Sequence, residues 1–226
     1  MLLIKKKVSA LWAALLFTTV LLTGCIGASP EENIYNTLEK VVSLEDTFTQ
    51  QQKPINELEK QESDLYNEII GLGMKEYDKI VSLSDEAIKL VEEREEHIEK
   101  EKESINSAKK EFKTVNEEIE KLNDEKLKTQ AAELQKVMSE RYSTYENLYN
   151  TYKDAIALDK KLYTMLKQED LQLEELEKHI TEINKSYEKV LEESEKFNSL
   201  TEEYNQSKKE FYKAADIQVA QSEKKS

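Results

Sequence analysis

The chain has 226 residues, 35% of them charged and 38% hydrophobic, with a formal net charge of −14. That excess repels the phosphates of nucleic acid and anionic lipid headgroups, so no nucleic-acid partner is expected. With one cysteine there is no intrachain disulfide, and four glycines and two prolines are too few for the turns of a sheet-rich fold.

Lys5, Lys6 and Lys7 precede an apolar run from Val8 to Leu22, the charged-then-apolar layout of an export signal. A membrane-spanning helix needs roughly 20 apolar residues, and this run has about 15. Leu22-Thr23-Gly24-Cys25 then resembles the bacterial lipobox, in which a leucine and two small residues precede a cysteine that receives diacylglycerol. The resemblance implies cleavage between Gly24 and Cys25. It also implies anchoring of the mature chain to the outer face of the cytoplasmic membrane through diacylglyceryl-Cys25. A lone free thiol outside the cell would be a liability, whereas two acyl chains on one residue suffice for stable anchoring.

Residues 1–24 carry three lysines and no acids, so the mature 202 residues hold 30 basic and 47 acidic side chains, a net −17. Residues 25–29 form a short tether. Residues 30–215 are expected to form one helical bundle domain, and 216–226 a polar tail. Beyond Gly73 there is neither Gly nor Pro, and Glu, Lys, Leu and Ala dominate, all good helix formers.

Ser29-Pro30-Glu31-Glu32 predicts a helix start, with Ser29 as N-cap, Pro30 at the first helical position and Glu32 closing a capping box. Apolar residues then recur at Ile34, Leu38, Val41, Leu44 and Phe48, and resume at Ile55, Leu58, Leu65 and Ile69. Because the phase survives Pro54, one helix bent there, or two nearly collinear ones, is predicted. Gly71-Leu72-Gly73 ends that segment. A second stripe runs through Leu83, Ala87, Leu90, Ile98, Ile105, Ala108, Phe112, Val115, Ile119 and Leu122, with a stop at Asn123-Asp124.

The third helix carries Leu127, Ala131, Leu134, Met138, Tyr145, Leu148, Tyr152, Ala155, Leu162 and Leu166, and Lys167 to Asp170 make a polar turn. The fourth runs from Leu173 through Ile180, Tyr187, Val190, Phe197 and Tyr204 to Phe211. Segments of about 40 residues imply helices on the order of 60 Å, and short connections make neighbours antiparallel. The fold class predicted is all-α, an elongated up-and-down four-helix bundle with coiled-coil-like packing. An extended coiled coil between chains is the rival arrangement.

No catalytic constellation is visible: there is no Gly-rich phosphate loop, no G-x-S-x-G elbow and no nucleophile beside a base, so an enzyme is not expected. No metal or other cofactor is expected either. Di-iron bundles use Glu-x-x-His pairs, but Arg94 lies three residues before His97, and Leu176 three before His179. Tyrosine is the residue type in excess, with 11 in the chain. Tyr145 and Tyr152 fall on the third core stripe, while Tyr142 and Tyr149 sit beside it as a candidate contact surface, since aromatic faces stack on sugar rings. Polar residues interrupt the stripes at Arg94 and Glu101 and at Arg141 and Asp159. A Glu101–Arg141 salt bridge locking register, or both side chains reaching solvent at the seam edge, are the two arrangements this spacing permits.

Lipobox, short spacer and about 200 residues of Glu- and Lys-rich helix with a Gly-Leu-Gly break together resemble the YkyA-type cell-wall-binding lipoproteins of Gram-positive bacteria. The resemblance implies a four-helix up-and-down bundle and association with peptidoglycan or another wall component. A body at −17 is not drawn to anionic wall polymers by net charge, so wall binding requires cation bridges, a local basic patch or uncharged glycan contacts. The alternative is an envelope adaptor or scaffold that presents its helical faces to partner proteins.

Overall fold

The computed structural model describes residues 28–72 and 74–218. Among these residues there are six α-helices and no strand: α1 (Pro30–Leu44), α2 (Asp46–Gly71), α3 (Tyr77–Phe112), α4 (Val115–Lys121), α5 (Glu125–Leu166) and α6 (Leu173–Ala214). The chain is an all-α helical bundle. The export signal and Leu22, Thr23, Gly24 and Cys25 lie outside the described residues.

The start of α1 is set by the predicted capping box. Ser29 Oγ accepts from the Glu32 amide at 3.2 Å while the Glu32 carboxylate accepts from the Ser29 amide at 3.1 Å, so two orphan donors are satisfied together. The first interruption falls at Glu45 rather than at Pro54, which lies inside α2. A proline interrupts only the bond to the carbonyl four residues back, and the rest of the ladder carries α2 through it. The Glu45 amide still bonds the Val41 and Val42 carbonyls at 3.0 and 3.1 Å, so the interruption is a single turn. The second predicted helix is also divided: α3 stops at Phe112 and α4 begins at Val115. Thr114 turns back on Glu111, its amide at 3.0 Å and its hydroxyl at 2.9 Å from that carbonyl, yet Phe112 and Val115 both stay buried. Glycine and aspartate act where expected. α2 ends at Gly71, and Asp124 Oδ1 caps α5 by accepting from the amides of Lys126 and Leu127 at 2.8 and 3.0 Å.

The described residues pack into two compact units. In the first, formed by Thr47–Ser104 and Thr144–Lys196, α2 packs with segments of α3, α5 and α6. Its core joins Ile55 and Ile69 of α2, Ile80, Ala87, Val91 and Ile98 of α3, Tyr152, Ala155, Ile156 and Tyr163 of α5 and Val190 of α6. Cross-helix pairs fix the register. Glu92, Glu95 and Lys102 descend α3 as their partners Lys160, Lys153 and Glu146 ascend in reverse order on α5, so those helices are antiparallel. Lys79–Glu68 and Gln51–His97 set α2 antiparallel to α3 in the same way.

In the second unit, built from residues 28–46, Ile105–Ser143 and 197–218, α1 packs with the end of α3, α4, and segments of α5 and α6. Asn33 donates to Glu118 at 3.0 Å and Lys40 pairs with Glu111 at 2.9 Å, again an antiparallel order. Its core contains Ile34, Leu38, Val41, Phe112, Val115, Leu134, Met138 and Phe211, all buried.

Candidate functional site

All four polar residues that interrupt the predicted stripes are buried. In the first unit Arg94, 2% exposed, reaches from α3 to α5, where its Nη2 donates to Asp159 Oδ2 at 2.5 Å. Its Nη1 donates to the Tyr187 hydroxyl of α6 at 2.9 Å and lies 3.2 Å from Glu62 Oε2 of α2. The Tyr187 hydroxyl in turn donates to Asp159 Oδ2 at 2.5 Å, and Tyr152, whose ring lies 5.5 Å from the guanidinium, donates to Glu59. One guanidinium of α3 thus holds a residue from each of the other three helices of this unit.

The charge within that cluster is unbalanced, since one arginine faces two buried carboxyls with Glu59 at 3.9 Å. Burial raises Glu62 to about 8, against the opposing pull of Arg94, and raises Asp159 for the same reason. Glu62 was not singled out from sequence. The available signal was its place four residues after Leu58 and seven before Ile69, a charge on a core stripe. Glu101 is a second buried acid, raised by burial to about 8, and its carboxylate accepts from the Gln52 side-chain amide.

Neither the Glu101–Arg141 bridge nor the solvent-facing alternative is found, and two separate buried arrangements stand in their place. Arg141, in the second unit, donates from Nη1 and Nη2 to the two carboxylate oxygens of Glu45 at 2.8 Å each. Its Nε donates to Thr201 Oγ1 at 2.8 Å, and the guanidinium lies 4.5 Å from the centre of the Phe197 ring. Such bidentate pairing combines two charge-assisted bonds with a fixed plane.

The tyrosine pair expected beside the stripe separates into two environments. Tyr142 is 3% exposed, its ring edge-on to Phe112 at 6.0 Å between centres, so its face is not open for stacking. The error lies in the width of the stripe: α5 is enclosed on more than one side, and a position one step off the seam is still covered. Burial, followed by the Glu45 carboxylate, pushes the Tyr142 phenol far above its ordinary range. Tyr149, in the first unit, is half-buried; its hydroxyl donates to Glu99 at 2.8 Å and Lys102 Nζ sits 4.7 Å from its ring centre.

His97 has its Nδ1 2.6 Å from Gln51 Oε1, and buried His179 has its Nε2 2.8 Å from the Leu158 carbonyl. Among the described residues no group of three or more His, Cys, Asp or Glu is arranged to hold a metal ion, and no helix is long and apolar enough to cross a membrane.

The sequence profile of the YkyA family, described as "Putative cell-wall binding lipoprotein", matches residues 29–214. The chain is 36% identical over 85 residues to a protein named uncharacterized lipoprotein YkyA from Bacillus subtilis (strain 168), and the aligned part spans 38% of each protein. Its fold is similar to a crystal structure of a conserved protein of unknown function from Staphylococcus aureus. That likeness has a TM-score of 0.65 at 19% identity, covering 80% of this chain and 93% of the other.

Proposed function

Because this chain belongs to the YkyA family of lipoproteins, we propose that it is a non-catalytic protein, anchored by diacylglyceryl-Cys25 to the outer face of the cytoplasmic membrane, that binds the cell wall. The observation that carries the reading is the family match over 29–214 joined to a lipobox: the matched region begins at Ser29, four positions after Cys25. The helical body therefore starts at the membrane surface with almost no linker.

A binding rather than catalytic role is supported by where the shifted acids sit. Glu62 and Glu101 are closed inside helical packing on partners of this same chain, whereas a catalytic acid or base must reach its substrate. The envelope adaptor is the competing role.

Two measurements test the proposal. Cys25→Ala is expected to abolish labelled lipid incorporation and leave the signal uncleaved at Gly24; normal incorporation would sink the anchor. Mature lipoprotein in mild detergent is expected to sediment with purified walls. If it stays in the supernatant while an envelope protein co-purifies with it, wall binding fails and the adaptor role is favoured.

A further inference from the structure

The second unit carries a small open pocket of about 100 Å³ beside the break between α3 and α4, lined by Lys109, Phe112, Lys113, Asn116, Gln135, Ser139 and Tyr142. Ending α3 at Phe112 leaves this space against α5. No lining residue is acidic, although acids outnumber bases across the chain. Neither lysine has an ion-pair partner among the described residues, whereas Lys121 and Lys136 nearby are paired with Glu118 and Glu133. The Ser139 hydroxyl donates to the Gln135 carbonyl at 2.8 Å, so its lone pairs remain to accept from a ligand. Phe112 and Tyr142, both buried and packed edge-on, form an apolar floor.

We infer that this pocket binds an oxyanion group, phosphate or carboxylate, projecting from a sugar polymer of the wall. Lys109 and Lys113 supply the two cations, and Asn116, Gln135 and Ser139 hydrogen-bond the neighbouring hydroxyl or amide groups. The inference rests on the wall-binding reading and names its site. Pockets that enclose a drug-sized ligand run to roughly 300–1,000 Å³. This one therefore suits one group of a larger chain. Net charge does not forbid it, because at physiological salt the Debye length is about 8 Å and charges farther than that from Lys109 and Lys113 are largely screened. It also supplies the local basic patch that a −17 body needs to meet an anionic polymer.

The test titrates detergent-solubilised mature lipoprotein calorimetrically with a glycerol phosphate oligomer and, separately, with N-acetylmuramic acid. The same preparations are then sedimented with purified walls. The variants are Lys109→Gln, Lys113→Gln, Lys113→Arg and, as a charge-matched control outside the pocket, Lys110→Gln.

At least one probe should bind. Lys109→Gln and Lys113→Gln should each weaken it about tenfold, the scale of one lost charged hydrogen bond. Lys113→Arg and Lys110→Gln should stay close to the parent, with unchanged helicity throughout. A response to the phosphate probe assigns the source to phosphate-bearing wall polymers, and a response to the carboxylate probe assigns it to the glycan. The inference is overturned if neither probe binds, or if Lys110→Gln loses as much as Lys113→Gln. Walls retained equally by parent and glutamine variants would remove the pocket and leave wall binding standing. Probes bound at the lysines with walls not retained would leave the oxyanion pocket standing and remove wall binding.

Discussion

Glu62 and Glu101 hold protons in the folded chain that a solvated glutamate has already released. Burial raises both from 4.5 to about 8. Between those two values the folded state binds more protons at these groups than the unfolded state, so their contribution to stability is full below about pH 4.5 and is lost as pH rises toward 8. Urea denaturation at about pH 5 and pH 8 is expected to show the lower midpoint at the higher pH. Glu62→Gln, which keeps the shape and removes the titration, should flatten part of that slope, and Glu101→Gln a further part. A slope untouched by either change would place the titrating group elsewhere. The arrangement has a cost: acidic side chains are retained in packing that an apolar residue would fill more cheaply.

At the scale of the elements, Phe112 is the last residue of α3 and packs edge-on against Tyr142 and Tyr204, with centroids 6.0 and 6.5 Å away. It closes the core where the helix gives way, so there is little backbone nearby to collapse into the space it would leave. Phe112→Ala is expected to cost about 3–5 kcal/mol in chemical denaturation at unchanged helicity of the folded state. A variant as stable as its parent would contradict this packing. The places where helices stop divide by cause. Ser29, Gly71 and Asp124 act through local backbone chemistry and were legible in the sequence. Glu45 and the Lys113-Thr114 break were not, because the interruption at Glu45 is a single turn and the α3–α4 break leaves a three-residue spacing of apolar side chains intact. Pro54 is the converse case: a strong local breaker absorbed inside α2.

For the whole molecule the dominant property is its charge, −14 over the full sequence and −17 over residues 25–226. Self-repulsion destabilises a compact state, and the Debye length shrinks from about 30 Å at 0.01 M salt to about 8 Å at 0.15 M. The melting temperature of residues 25–226 is therefore expected to rise over that salt range. A fall would mean that surface pairs such as Lys160–Glu92 outweigh the repulsion.

The sequence by itself determined the all-α class, four helical stretches, the capping box at Ser29 and the core faces on which Leu38, Ile98, Leu134 and Phe197 are buried. These follow from periodicity and from the chemistry of chain ends, which act over a few residues. The tertiary structure alone decided which buried charges meet. Arg94 joins Asp159 and Glu62, and Arg141 joins Glu45, because partner choice depends on the register and rotation of antiparallel helices, to within a fraction of a turn. It also decided that Tyr142 is covered while Tyr149 is half-exposed, and that Lys109 and Lys113 share a pocket. Whether a residue beside a stripe meets water or a neighbour is fixed by the helix packed over it, and no local pattern records that.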